Sequence, residues 1–374
     1  MSHRALFDLP PDRTYLNCAY LAPQLRSVTA AGIEAVGLKA HPWKVGVDDF
    51  FAHSERLRGL FARIVGGDAD GVALIPSVSY GVGIAAANVP VERGQRIVLL
   101  DEQFPSNVYP WRERARDVGA TVEHVARGAN GWTARILDAI DDDVAVVAIP
   151  NCHWTDGSLV DLVAVGAACR DAGAALVVDG TQSVGAHPFD VAAVQPDFVI
   201  AAGYKWLLGP YSLGYLWCAP QWRDGRPLEH NWLNRDASED FAGLVRYRDA
   251  YQAGARRYDV GERSNFALVP MALAALEQLL EWGVERIAAH CAGVTAEIAA
   301  QAEARGWRAL PADQRVAHMT GVRVPGGLPA GLVGALAERK VHVSVRGDSI
   351  RVAPHLYNDL DDVASLFTAL DALV

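Results

Sequence analysis

Residues 175–210 read ALVVDGTQSVGAHPFDVAAVQPDFVIAAGYKWLLGP. Two short apolar, β-branched runs, 175–178 and 198–201, end abruptly, the first in Asp179, Gly180, Thr181 and Gln182, the second in Gly203, Tyr204 and Lys205. Continuous rather than alternating apolar runs fit strands covered on both faces. Working outward, similar runs recur at 72–75, 97–100, 144–149 and 213–217, with Ala-rich segments of helical spacing between several of them, such as 162–172. Strands alternating with helices make the fold class α/β, with a largely parallel sheet. Ligands of such sheets bind at the carboxyl ends of the strands, which is where Asp179 and Lys205 fall.

Beyond about Asn265 the pattern changes. Pro270 suits a helix start, having a pre-set φ and needing no N–H partner. Leu273, Leu276, Leu280, Val284 and Ile287 then repeat at three- and four-residue steps, with Gly283 as a break. Strand-like runs at 341–345 and 350–353 and an amphipathic helix from Asp361 complete a smaller α+β region. The expected division is a large domain over 16–260 and a small one made of 1–15 and 261–374.

Composition narrows the function classes. The 374 residues are 51% apolar and 21% charged, as in ordinary globular proteins. A net charge of -10 argues against nucleic acid or an anionic membrane as partner. No apolar run is long enough for a membrane helix and no signal peptide is visible, so a cytoplasmic location is expected. Cys18, Cys152, Cys169, Cys218 and Cys291 form no CxxC pair, which argues for reduced, buried thiols and against zinc; no metal is expected.

Only four of the 34 basic residues are lysines, and three of them, Lys39, Lys44 and Lys340, sit in polar or helix-surface contexts. Lys205 instead precedes Trp206, Leu207 and Leu208. Apolar surroundings disfavour the charged amine and lower its pKa, and a neutral amine is what a Schiff base with an aldehyde requires. On its own Lys205 also fits a lysine snorkelling from a loop, and Asp179 a helix cap or metal ligand. Together at strand ends, they suit a cofactor whose pyridine nitrogen pairs with the carboxylate.

VVDGTQSVGAHPFDV followed by PDFVIAAGYKWLLGP resembles the signature of class V aminotransferases, in the fold-type-I group of pyridoxal-phosphate enzymes. The resemblance runs from YLNCAYLAP at Tyr15 to VAPHLYNDLDDV near the end. It implies a mainly parallel seven-stranded sheet in the large domain and a small-molecule amino substrate. It also implies a homodimer with composite sites, because GERSN, containing Ser264, matches a loop lent to the neighbouring subunit's phosphate. Lys205 would carry pyridoxal 5'-phosphate as a Schiff base and serve as the proton-transfer base. Asp179 would face the ring nitrogen, and Gln182 and Asn151 the phenolic oxygen. Ser79, beside Val78, would bind phosphate at a helix start, with Tyr204 reaching it too, and Phe104 would stack on the ring. Arg351 matches the substrate-carboxylate arginine. Arg346, His153, Trp154, Asn17, Asn231, Trp232 and Asn234 are further pocket candidates.

Where the chain departs from its relatives, activities drop out. Cysteine desulfurases carry a nucleophilic Cys shortly before the carboxylate arginine, and here no Cys follows Cys291, which excludes persulfide formation. Kynureninases share Phe and Tyr at positions 104 and 204 but differ downstream of the lysine. Transamination is the favoured expectation; β-lyase or hydrolytic cleavage and epimerisation are the alternatives. A non-catalytic pyridoxal-phosphate-binding regulator is a further reading. A nicotinamide dehydrogenase is disfavoured because SYGVGIAA lacks the full GxGxxG fingerprint.

Overall fold

The computed structural model describes residues 3–374, so Met1 and Ser2 of the N-terminal segment lie outside the described residues. Its main sheet has seven strands: β1 (Val72–Ile75), β2 (Arg96–Leu100), β3 (Thr121–Val125), β4 (Val144–Pro150), β5 (Ala175–Asp179), β6 (Phe198–Ala202) and β7 (Gly214–Cys218). Their spatial order is β1-β7-β6-β5-β4-β2-β3, and only β7 runs antiparallel to its neighbours. The expected mainly parallel seven-stranded α/β sheet is therefore the one observed.

Alternation along these strands feeds two apolar layers. Leu74, Val98, Val147, Val178, Val199 and Tyr215 point into one layer, beneath the helices Ala52–Val65, Leu162–Ala172 and Leu268–Trp282. Ala73, Ile97, Val146, Val177, Ile200 and Leu216 point into the other, against Val78–Asn88 and Tyr109–Val118. Both faces are covered, which is why the runs lack alternating polarity.

The strand that the apolar runs do not reveal is β3. It lies at the sheet edge, where only Val125 is buried and Glu123 pairs with Arg96 of β2. Helix Leu268–Trp282 starts two residues before Pro270, because Asn265 Oδ1 accepts the amides of Ala267 and Leu268 at 3.1 and 3.0 Å. Gly283, at φ 79°, separates it from helix Val284–Glu303, as the interrupted spacing suggests.

A second, four-stranded antiparallel sheet contains β8 (Arg308–Ala309), β9 (Thr320–Arg323), β10 (Ser344–Arg346) and β11 (Ser349–Val352), in the order β10-β11-β9-β8. Helices Val284–Glu303 and Leu360–Asp371 supply Ile298, Leu366 and Leu370 to its core, which also takes Leu16. The run 341–345 is not one strand. Val341–His342 pairs in parallel with Thr14–Tyr15, and the chain then turns so that Ser344–Arg346 joins β11.

A buried ion pair pins the start of β1. Arg58 Nη1 donates to Asp259 Oδ1 at 2.8 Å and to Val72 O at 2.7 Å, and Asp259 also accepts Leu74 N at 2.7 Å. Arg263 Nε lies 3.2 Å from the same carboxylate. Removing one partner of a buried pair leaves uncompensated charge, so Asp259→Ala is expected to lower unfolding free energy by about 3–5 kcal/mol. Urea denaturation checks this; an unchanged midpoint would show that the network relaxes.

Candidate active site

The register of the sheet brings the sequence-distant strand ends together. Pro150 of β4 pairs with Asp179 of β5, and Asp179 with Ile200 of β6. Ala202 and Ile75 both pair with Gly214, so the start of helix Val78–Asn88 rises beside the turn that follows β6. That turn closes on itself: Gly203 N donates to Leu213 O at 2.9 Å, Gly209 N to Gly203 O at 2.8 Å and Leu208 N to Lys205 O at 3.0 Å. A Cβ on residue 203 would meet Leu213 O at 2.5 Å, so only glycine permits this approach. The turn sends Trp206 into the core, where Nε1 donates to Gln182 Oε1 at 3.0 Å, and leaves Lys205 facing a cavity.

Gln103, Phe104, Pro150, Cys152, Trp154, Asp179, Thr181, Gln182 and Lys205 line that cavity. Lys205 Nζ lies 5.3 Å above the Phe104 ring and 5.7 Å from that of Tyr204. Burial pulls the amine down from 10.5 to about 8, aided by the charges of Arg351 and Arg346 and opposed by Asp179. Asp179 moves the other way: burial raises it, partly offset by the Thr181 amide, which donates to Oδ1 at 3.0 Å. Lysine is thus biased towards its neutral form. Aldehyde labelling of cofactor-free protein should quicken as rising pH removes the proton, with Lys205 half-maximal near pH 8. A midpoint near 10.5, the ordinary lysine value, would show that burial does not act on it.

Arg351 is the most deeply buried cation near the cavity, 1% exposed. Its Nη1 donates to Trp154 O at 2.8 Å, while its Nε is buried without a partner. Burial, then the neighbouring Arg346 charge, lowers it to about 9. Arg346 is half-buried, donates to Val345 O at 2.8 Å and lies 5.5 Å from the Trp154 ring, which Arg351 approaches to 5.9 Å. Trp154 itself is fixed by its Nε1 donating to Glu102 O at 2.7 Å and by an edge-on contact with Phe104 at 5.4 Å.

Other candidates lie at the rim or elsewhere. Ser77 caps helix Val78–Asn88, accepting from Tyr80 N at 3.2 Å, and Ser79 Oγ sits 3.0 Å from Ser77 Oγ, next to Val78. The Tyr204 ring packs 4.6 Å from Tyr211. Asn17 Oδ1 accepts from Ser344 Oγ at 2.8 Å, and Ser344 stands opposite Arg351.

Asn151 faces away. Successive strand residues alternate, so Pro150 lines the cavity while the Asn151 amide donates to Val160 O at 3.3 Å and borders a separate groove with Trp132 and His187. His153 is spent on Thr155 Oγ1 at 2.7 Å and Asp101 O at 3.1 Å, stacked on Trp132. Asn231, Trp232 and Asn234 lie in the loop before Asp259: Asn234 bonds Asp259 O at 3.0 Å, and Trp232 packs on Phe50 and Phe241. Ser264 borders another pocket with Phe266 and Pro270.

Gln103, Cys152 and Thr181 also line the cavity, and their residue types alone do not mark them for it. The same strand-end alternation that turns Asn151 outward brings Cys152 in, and could have pointed to it.

The residues fit pyridoxal phosphate: a buried carboxylate and a lysine biased towards neutrality share one strand-end cavity, and a buried guanidinium with an unpartnered Nε lies against its Trp154 wall. Comparisons with known proteins agree. The family model for class-V aminotransferases matches residues 48–358. The chain is 27% identical over 339 residues to the uncharacterized aminotransferase YcbU of Bacillus subtilis, spanning 87% of this chain and 84% of that protein. It is 29% identical over 269 residues to the kynureninase of Deinococcus radiodurans, spanning 69% and 63%. Its fold matches a C-DES variant with glycine covalently linked to its pyridoxal-phosphate cofactor, at TM-score 0.89, with 19% identity and 100% of both chains covered. The chain belongs to the class V aminotransferase family of enzymes, and its cofactor is pyridoxal 5'-phosphate.

Proposed function

We propose that this enzyme is an aminotransferase, which takes the amino group from an α-amino acid, releases the keto acid and passes the group to a second keto acid. The observation that carries the reading is the meeting of Lys205 and Asp179 in one cavity whose Trp154 wall is hydrogen-bonded by Arg351, with Arg351 Nε unpaired. When bound, pyridoxal phosphate supplies an electron sink that eases loss of the proton at the amino acid's α-carbon.

The chain's own groups divide the remaining work. Arg351 holds the α-carboxylate, and its planar fork fixes the orientation of the amino group. Lys205 Nζ takes the α-proton. Asp179 would hold the ring nitrogen protonated, and Phe104 would pack on the ring. Gln182 Nε2 donates to Ala19 O at 3.1 Å and retains a second N–H for the phenolic oxygen. Ser79, the first amides of helix Val78–Asn88 and Tyr204 would receive the phosphate.

Ser264 borders a different pocket, so its proposed phosphate contact requires a second copy, and we place the enzyme as a homodimer. Five unpaired, buried thiols support a cytoplasmic setting. Among the described residues no helix is long and apolar enough to cross a membrane.

Transamination has support beyond the shared site. YcbU, matched over most of both chains, carries the aminotransferase name. The hairpin between Arg346 and Arg351 offers no thiol for persulfide chemistry. The experiment is to incubate the enzyme with single amino acids. Transamination yields keto acid in amounts matching the enzyme until an acceptor keto acid is added. Continuous release of ammonia and keto acid without acceptor would instead establish a lyase.

A further inference from the structure

The site holds more positive charge than one carboxylate requires. Arg346 and Arg351 project from the same face of the β10–β11 hairpin. Ser344 pairs with Arg351, and Arg346 lies two residues further along that strand. Both guanidiniums approach the Trp154 ring, at 5.5 and 5.9 Å, and that ring walls the Lys205 cavity. Both also act electrostatically on Lys205.

Among the described residues neither arginine has an acidic partner. The nearby carboxylates are committed elsewhere: Asp348, in the hairpin turn, accepts from Arg323 Nε at 2.9 Å, and Asp156 lies 3.2 Å from Arg323 and 3.4 Å from Arg127. The cofactor's phosphate does not account for Arg346. Its proposed cradle follows β1, whereas Trp154 follows β4, and β7, β6 and β5 lie between those strands.

We propose that Arg346 determines substrate class: it receives a second carboxylate, on the substrate's side chain, while Arg351 holds the α-carboxylate. The preferred substrate is then a dicarboxylic α-amino acid. This rests on the aminotransferase reading of the site and adds which amino acid it takes. A charge-assisted contact discriminates strongly against an uncharged isostere, because the guanidinium is otherwise left without an acidic partner.

The test compares aspartate with asparagine and glutamate with glutamine. The wild-type enzyme should favour the acid of at least one pair by roughly 10–100-fold in kcat/KM. Arg346→Gln should bring that ratio close to one, and Arg346→Lys should restore part of it. Calorimetry on the holoenzyme provides a second readout with unreactive ligands. Arg346→Gln should weaken succinate at least about tenfold more than succinamate, whereas Arg351→Gln weakens both.

A wild-type ratio near one, or a ratio untouched by Arg346→Gln, overturns the proposal. So does equal weakening of succinate and succinamate, which would mean that the arginines share one carboxylate. Turnover of neutral amino acids with no acidic preference would sink this inference while leaving the aminotransferase reading intact.

Discussion

Replacing Lys205 with alanine is expected to cut turnover by roughly 10²–10⁴-fold, the range for removing a positioned proton-transfer group. The expectation rests on where the amine sits. It is 5% exposed, faces the cavity and lies above Phe104, and burial draws it down to about 8. It is the only lysine among the cavity's lining residues, so no neighbouring amine can stand in for it. Folding should be little affected, since a partly charged buried amine contributes no stabilising pair of its own. Single-turnover kinetics with excess amino acid separate a loss of proton transfer from a loss of binding. A fall of less than tenfold would mean that another group moves the α-proton.

The second large effect is expected at Arg351. Arg351→Gln should lower kcat/KM by roughly 10²–10³-fold, corresponding to about 3–4 kcal/mol for a buried charge pair with the substrate carboxylate. Arg351→Lys should recover only part, because an ammonium cannot reproduce the two-pronged contact. The free protein behaves in the opposite sense. Its guanidinium is buried, lowered to about 9 and unpaired at Nε, which penalises the folded state. The urea midpoint of Arg351→Gln should therefore stay level or rise while activity falls. A purely structural arginine would lose both together.

How far the sequence reveals this site depends on what each signal measures. Apolar runs locate β1, β2 and β4–β7 because those strands are covered on both faces; β3 escapes, since of its residues only Val125 is buried. Lys205 and Asp179 stand out because they interrupt deeply apolar segments, and their sharing of one cavity follows from the adjacent strands that they end or follow. Asn151 illustrates the opposite case. Its residue type suits a polar contact, but one step along the strand reverses the side chain, and Cys152 takes the cavity wall instead. The charge surplus at Arg346 is invisible in the chain order, because it depends on which acids Arg323 and Arg127 engage across the fold.

The most direct measurement is reduction of the holoenzyme with borohydride, followed by peptide mapping. A pyridoxyl adduct on the peptide containing Lys205, and on no other lysine, is the expected result. An adduct on Lys39, Lys44 or Lys340, or none at all, would contradict the assignment of this cavity as the catalytic site.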